Sequence, residues 1–412
     1  MVRDPKEVDL SVDFCGLHFE NPFMLSSAPP AGTGEMIRRA FETGWGGAVT
    51  KTLATEPTAN VRPRFAKLMF EDKRMIGFKN IELISDRPLE YWLPEIERTK
   101  KEYPNKILIA SIMAAMSASD WQTVAKKVQD AGADALELNV SCPHGMPERG
   151  MGAAIGQDPE LTADVTKWVK EVANVPVIVK MTPNVTDLPL IAKAAEKAGA
   201  DALSGINTVL GFMGIDLETL EPKPSVNGQS AFGGCCGPAI KPIALRCVAQ
   251  MAQSTKLPIS GIGGISTWQD AAEFMMVGAT TLQLCTAVMF NGYRIVKDLK
   301  AGLSNYLAEK GFSSAKEIVG LALPKLGPLE QLDFTHRVVA EIDKDKCIKC
   351  GICYLVCNDA GYQAIKLDGE RLPTVDEDKC DGCSLCFNAC PVWNCITMKK
   401  MEKLPAPRIY RE

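Results

Sequence analysis

Ala131-Gly132-Ala133-Asp134-Ala135-Leu136 returns as Ala198-Gly199-Ala200-Asp201-Ala202-Leu203, and more loosely as Val277-Gly278-Ala279-Thr280-Thr281-Leu282. In each copy a glycine closes an amphipathic stretch and an apolar run begins three residues later, the joint of a helix with the strand that follows it. Outward from these joints, one unit repeats between residues 20 and 310. Its strands are expected at Phe23–Ser27, Ala48–Thr52, Ile107–Ile112, Ala135–Val140, Val177–Met181, Ala202–Ile206, Ile259–Ile262 and Thr281–Cys285. Its helices are expected near 34–43, 91–102, 119–131, 160–173, 188–198, 242–253, 268–276 and 293–309. The strands read as apolar throughout, as parallel strands covered on both faces do. Pro176 and Pro258 open two of them, where proline costs no ladder hydrogen bond. Eight βα units in about 290 residues make a (β/α)8 TIM barrel. A doubly wound sheet would carry a glycine-rich dinucleotide turn after its first strand, and this chain has none there.

The departures from the repeat suggest how the barrel is closed. Leu10–Phe19 reads as a small hairpin plugging its bottom. The excursion 53–87 is too long for a simple βα loop and is expected over the top face. Segment 211–238 is also long and rich in Gly, Pro and Ser. The domain reading is a barrel at 1–310, a connector at 311–342 with a short helix near 314–321, a cysteine module at 343–400 and a tail at 401–412.

Composition narrows the classes. The chain has 412 residues, 46% hydrophobic and 23% charged, with a formal net charge of −4 and no block of like charge. A nucleic-acid partner usually needs a concentrated basic face, so none is expected. The most continuous apolar stretch, 107–116, is far shorter than a membrane span. The charged opening Met1-Val2-Arg3-Asp4-Pro5-Lys6 leads into no secretory h-region.

Eight of the fifteen cysteines form two runs, Cys347-x2-Cys350-x2-Cys353-x3-Cys357 and Cys380-x2-Cys383-x2-Cys386-x3-Cys390-Pro391. This is the thiolate spacing of a bacterial-type ferredoxin with two [4Fe-4S] clusters, in which the fourth cysteine of each run ligates the other cluster. On that rule Cys347, Cys350, Cys353 and Cys390 hold one cluster, and Cys380, Cys383, Cys386 and Cys357 the other. A disulfide scaffold would suit a short secreted chain, and zinc prefers two ligand pairs. The clusters point to electron transfer in a reducing, cytoplasmic setting.

Catalytic groups of such a barrel gather where its strands end. Lys51 and Lys180 each close a buried strand, a poor place for a charge without a partner. They suit a cofactor that becomes anionic, as reduced flavin does, although a lysine snorkelling to solvent is the plainer account. Gly261-Ile262-Gly263-Gly264-Ile265-Ser266 and Leu284-Cys285-Thr286-Ala287 fall after strands 7 and 8, the usual phosphate site. Asn80, Asn139 and Asn207 offer paired donors and acceptors that would fit a pyrimidine dione, though singly each reads as a turn or cap residue. Cys142 follows strand 4 and could exchange a proton, its plainer role being a small buried hydrophobe. Of the three histidines only His144 lies near these positions.

The string Asn139-Val-Ser-Cys142-Pro-His-Gly-Met-Pro-Glu-Arg-Gly-Met-Gly strongly resembles dihydropyrimidine dehydrogenases. So do Asn80-Ile-Glu-Leu-Ile-Ser, Lys180-Met-Thr-Pro-Asn-Val-Thr-Asp and Cys357-Asn-Asp-Ala-Gly-Tyr-Gln-Ala-Ile. The resemblance covers nearly the whole chain. It implies an FMN barrel of the dihydroorotate dehydrogenase superfamily joined to a ferredoxin-like domain, acting on uracil or thymine. It further implies that Cys142 is the general acid at pyrimidine C5, with Asn80, Asn139, Asn207 and Thr208 holding the base. Ser27, Lys51, Thr52, Asn139 and Lys180 would contact FMN, and Gly234, Ile262, Gly263, Gly264, Cys285 and Thr286 its ribityl-phosphate. NAD(H) and FAD would belong to a partner flavoprotein subunit in a heterotetramer, since this chain lacks a dinucleotide fingerprint. Two rivals remain at this stage: a dihydroorotate dehydrogenase, for which Lys79 could meet the extra carboxylate, and an electron-carrier subunit whose barrel is only a scaffold.

Overall fold

The computed structural model describes residues 4–71 and 73–401; most of the expected tail at 401–412, and Met1 to Arg3 of the charged opening, lie outside the described residues. The chain divides into two compact units, Met1–Lys325 and Leu326–Glu412.

In the first unit, strands Phe23–Leu25, Gly47–Val49, Ile107–Ile112, Ala135–Leu138, Val177–Met181, Ala202–Gly205, Ile259–Ile262 and Ala279–Leu284 pair in parallel and close into a barrel. The helices that alternate with them, from Gly34–Thr43 to Ile295–Lys310, bury their apolar faces against its outside. The expected (β/α)8 architecture is present.

The repeated joint has a physical cause. Gly132, Gly199 and Gly278 sit at φ of 100°, 95° and 108°, the left-handed region that a side chain disfavours. The aspartate two residues on then ties neighbouring elements together. Asp134 accepts from the backbone N–H of Leu108 and from Lys100, both at 2.7 Å. Asp201 accepts likewise from the N–H of Val177 and from Lys170, again at 2.7 Å. The third joint has Thr280 there and lacks this clasp.

The strands are less uniformly apolar than their sequences suggest. A polar layer crosses the barrel interior, centred on Glu137, whose carboxylate accepts from Lys180 Nζ at 3.2 Å, Ser204 Oγ at 2.8 Å and Gln283 Nε2 at 2.9 Å. Every member is buried, and the layer's charges and amides satisfy one another except at Gln283 Oε1, which has no protein partner.

Strands Val12–Phe14 and Leu17–Phe19 form the expected hairpin, and Phe19 packs beside Gly47 at the start of its strand. The two long excursions prove to be one structure. Strands Phe65–Phe70 and Arg74–Asn80 pair as a hairpin, and Arg74–Asn80 pairs across to Gly233–Cys236, which pairs with Val209–Gly211. This four-stranded antiparallel sheet roofs the C-terminal end of the barrel. The expected connector divides: Ala315–Ile318 is a 3₁₀ turn tied to Asp9 through Ala315 N–H at 2.8 Å, so its first part belongs to the barrel unit.

The second unit is built from two like halves. Strand Val338–Ile342 leads into the first cysteine run, helix Ile352–Ala360 and strand Ile365–Leu367. Strand Pro373–Val375 leads into the second run, helix Leu385–Ala389 and strand Ile396–Lys400. The outer strands pair with each other, as do the inner ones.

Candidate active site

The C-terminal ends of the barrel strands and the roof sheet enclose a cavity of about 1050 Å³, mouth included. Ser27, Lys51, Thr52, Asn80, Asn139, Cys142, Lys180, Asn207, Thr208, Ile262, Gly263, Gly264, Cys285 and Thr286 all line it. Gly234 does not. It pairs with Asn80 in the roof sheet, where a Cβ would come within 2.1 Å of Thr208 Oγ1 and 3.2 Å of Asn80 Nδ2. Glycine at 234 therefore leaves room for two polar side chains that face the cavity.

Asn139 and Asn207 are held by one continuous network, and Asn80 is held separately. Asn139 Nδ2 donates to Thr52 Oγ1 at 2.9 Å, and Thr52 in turn bonds Ser27 Oγ at 3.0 Å and Ser111 Oγ at 2.9 Å. Asn207 Nδ2 donates to Ser141 Oγ at 2.9 Å and Asn139 Oδ1 at 3.3 Å. Asn80 Nδ2 donates to Gly234 O at 3.1 Å. Amides fixed this way present defined donors and acceptors to a ligand, so little ordering remains to be done on binding.

Both lysines have partners. Lys51 donates to Glu82 at 2.7 Å, and Arg64 reaches the other oxygen of that carboxylate at 2.9 Å. Lys180 has Glu137. Lys79 points away from the cavity. Its ammonium is wholly buried on the opposite face of the roof strand, donating to the carbonyls of Lys223 at 3.0 Å and Ala231 at 2.8 Å.

Cys142 is buried in the loop after Ala135–Leu138, its thiol donating to His144 O at 3.6 Å. Burial pushes the thiol's pKa up, while a hydrogen bond with the His144 backbone and the charge of Lys51 pull the other way. The thiol therefore stays protonated at neutral pH. The loop folds back tightly: a Cβ at Gly152 would lie 2.8 Å from Cys142 O, and one at Gly156 1.9 Å from Val140 O. The second half of the recognition string thus clamps the cysteine. His144 Nε2 lies 3.1 Å from Glu82 O; a carbonyl only accepts, so Nε2 carries the hydrogen. Burial holds His144 neutral by lowering its pKa.

Sequence reading missed Glu82, Glu137 and Gln283. Glu137 and Gln283 carried a usable signal, since each is a polar residue inside a short apolar strand. Phe65 and Phe78, stacked with centroids 5.3 Å apart, also line the cavity and carried no such signal.

In the second unit, one apolar pocket is lined by Cys347, Cys350, Cys353 and Cys390, and another by Cys357, Cys380, Cys383 and Cys386. Backbone N–H groups already point at sulfur: Lys349 N at Cys347 Sγ and Ala364 N at Cys357 Sγ, both 3.4 Å.

Residues 9–307 match the dihydroorotate dehydrogenase family, and residues 340–398 match the 4Fe-4S dicluster domain. The chain therefore belongs to the dihydroorotate dehydrogenase family, a family of oxidoreductases, and carries a 4Fe-4S dicluster domain after its barrel. It is 48% identical over 398 residues, 96% of each chain, to the NAD-dependent dihydropyrimidine dehydrogenase subunit PreA of Escherichia coli (strain K12). It is 43% identical over 359 residues, 84% of each chain, to the chloroplastic dihydropyrimidine dehydrogenase (NADP(+)) of Arabidopsis thaliana. The catalytic subunit of dihydroorotate dehydrogenase B (NAD(+)) of Pyrococcus abyssi is 42% identical over 315 residues, 76% of this chain and 99% of that one. The crystal structure of Eimeria tenella DHODH in complex with ferulenol shares the fold, with a TM-score of 0.64 at 22% identity, over 77% of this chain and 89% of that one.

Proposed function

We propose that this chain is the catalytic subunit of a dihydropyrimidine dehydrogenase, interconverting uracil or thymine with the 5,6-dihydro base in pyrimidine degradation. The observation that carries this is the cavity's polar inventory. Asn80, Asn139, Asn207 and Thr208 face it together with a protonated Cys142, while its two lysines are already ion-paired. A neutral dione matches that set. Dihydroorotate brings a carboxylate, and Lys79, the cation that could have met it, is committed to the carbonyls of Lys223 and Ala231.

The residues present fit FMN. Gln283 Oε1 is a buried acceptor with no protein partner, and it belongs to a residue lining the cavity. Gly263 and Gly264, at φ of 131° and 82°, bring bare backbone to the cavity wall. Ser27, Lys51, Thr52, Asn139 and Lys180 would hold the ring, and Ile262, Gly263, Gly264, Cys285 and Thr286 the ribityl-phosphate. When bound, FMN supplies hydride exchange at pyrimidine C6 and links two-electron to one-electron chemistry. The protein's own part is to orient the base through its amides and to move one proton at C5. In base reduction the Cys142 thiol gives that proton; in the reverse direction its thiolate takes it.

The two cysteine sets would hold [4Fe-4S] clusters that relay electrons to or from an NAD(H)- and FAD-binding, PreT-like flavoprotein, in a cytoplasmic heterotetramer. Among the described residues no helix is long and apolar enough to cross a membrane.

Cys142→Ala should lower uracil reduction by about 10²–10⁴-fold, the usual worth of a positioned acid, while dithionite still reduces the flavin normally. Turnover close to wild type would overturn the role of Cys142. Uracil should be strongly preferred to orotate in steady-state assays; the reverse preference would favour the dihydroorotate reading. Uracil should also perturb the bound-flavin spectrum of the isolated chain, which a scaffold barrel would not permit.

A further inference from the structure

A ninth cysteine lies in the dicluster unit outside both ligand runs. Cys395 is buried and lines the same pocket as Cys347, Cys350, Cys353 and Cys390. The chain turns back through Pro391 to Asn394, closed by Cys395 N–H donating to Val392 O at 3.3 Å. This places Cys395 in the pocket lined by Cys390 and its three companion cysteines. The Cys395 thiol also lies 3.6 Å from Asp343 O.

The other half of the unit supplies an internal control. Cys395 precedes strand Ile396–Lys400, as Ala364 precedes Ile365–Leu367. Cys395 O accepts from Asp343 N at 2.8 Å, and Ala364 O accepts from Asp376 N at 2.7 Å. The two residues occupy equivalent places. One half of the unit has a thiol in the pocket of its crossing cysteine, and the other has an inert methyl in the equivalent pocket.

We propose that Cys395 is a positioning residue for one cluster only: its S–H donates to the Cys390 thiolate and raises that cluster's reduction potential above what its ligand set alone would give. This rests on the reading of Cys390 as a ligand. A ligating cysteine is deprotonated, so the bond that Cys390 now donates to Val392 O, at 3.6 Å, is lost on metal binding. The single hydrogen of Cys395 then chooses between the Asp343 carbonyl and a thiolate, and an anionic acceptor makes the stronger bond. Hydrogen bonds to cluster sulfurs favour the electron-richer, reduced state. Cys357, the crossing cysteine of the other cluster, receives the Ala364 backbone N–H instead.

The test is a redox titration of the full-length, cluster-loaded chain, followed by electron paramagnetic resonance, with iron and sulfide counted. Cys395→Ala should keep both clusters and lower one midpoint only. At a fixed potential its reduced-to-oxidised ratio should fall about three- to tenfold, the larger value being about 59 mV for one electron. Cys395→Ser, whose hydroxyl still donates, should recover much of the shift. Ala364→Cys should raise the other midpoint, and this variant decides the question even if Cys395→Ala assembles poorly. Unmoved midpoints in both Cys395→Ala and Ala364→Cys would overturn the proposal. So would loss of one cluster's iron in Cys395→Ala together with its retention in Cys390→Ala, which would make Cys395 the ligand. A wild-type chain lacking [4Fe-4S] signals would instead overturn the cluster reading itself.

Discussion

Lys51 and Lys180 in the barrel each face a carboxylate, at 2.7 and 3.2 Å, whereas in the dicluster unit four of the nine buried core residues are thiols: Cys353, Cys380, Cys386 and Cys395. The residues that would touch ligand in the barrel already have protein partners. Three of the eight that would touch iron, Cys353, Cys380 and Cys386, are themselves part of the core. The first arrangement gives a site that exists before its ligand arrives. The second gives a unit whose apolar core, without iron, is Val339, Ala340, Ala364, Ile365 and Ile396 with their partly buried neighbours. A core of that size rarely sustains a fold without metal or disulfide staples.

The strongest test of this contrast is to remove the clusters. Oxidative loss of iron in the presence of chelator should expose the second unit, from Leu326 onward, to complete proteolysis, while the barrel unit stays protected. Binding energy for structural metals is on the order of 10 kcal/mol and acts as folding energy. If the second unit stayed protease-resistant without iron, its small core would be enough and the contrast would fail.

Within the barrel the comparison can be broken at Glu137. Glu137→Gln keeps an acceptor for Ser204 and Gln283 but leaves the buried Lys180 ammonium without a counter-charge. Breaking a buried pair in this way costs about 3–5 kcal/mol, and adding Lys180→Met should return much of it. Urea denaturation of the flavin-free chain reads both. A loss below about 1 kcal/mol would show that the polar layer does not hold the barrel interior.

These contrasts also show what the sequence could reveal. The eight barrel strands were legible because each is an apolar run bounded by glycine or proline, as at Val177–Met181 after Pro176. The roof sheet was not. Gly233–Cys236 has no alternating pattern, and its partner Arg74–Asn80 lies more than a hundred residues away. Lys51 and Lys180 stood out as charges ending apolar runs, yet their partners did not. Glu82 sits in a loop where an acid passes for a solvated one. The same opacity explains Gly234, assigned to a ribityl-phosphate on resemblance but found clearing space for Thr208 and Asn80.

A smaller effect tests the protonation state of the preformed site. Because burial raises the Cys142 pKa, the thiol stays protonated past the ordinary thiol value, and base reduction should stay level through about pH 8.5 before declining. Above its own pKa the rate should fall about tenfold per pH unit, as the donor is lost. His144, held neutral by burial, should add no inflection near its usual value of about 6.5. A decline in reduction already at pH 7, absent from flavin reduction by dithionite, would point to a different proton donor.

The smallest effect is expected at Lys79, and it separates the two substrate readings. If Lys79 faced a substrate carboxylate, its loss would change selectivity by orders of magnitude, because polar recognition that is lost leaves buried groups unpaired. The structure instead gives its ammonium to Lys223 O and Ala231 O, on the far face of the strand from Asn80. Lys79→Met should therefore destabilise the roof by about 1–3 kcal/mol for each buried carbonyl it orphans, and move the uracil-to-orotate ratio by less than about twofold. A large drop in orotate turnover with uracil untouched would place this lysine in the substrate's reach and return the dihydroorotate reading. Stability loss with an unchanged ratio would make it what its bonds indicate, a buried cation that fastens segment 209–236 to the strand carrying Asn80.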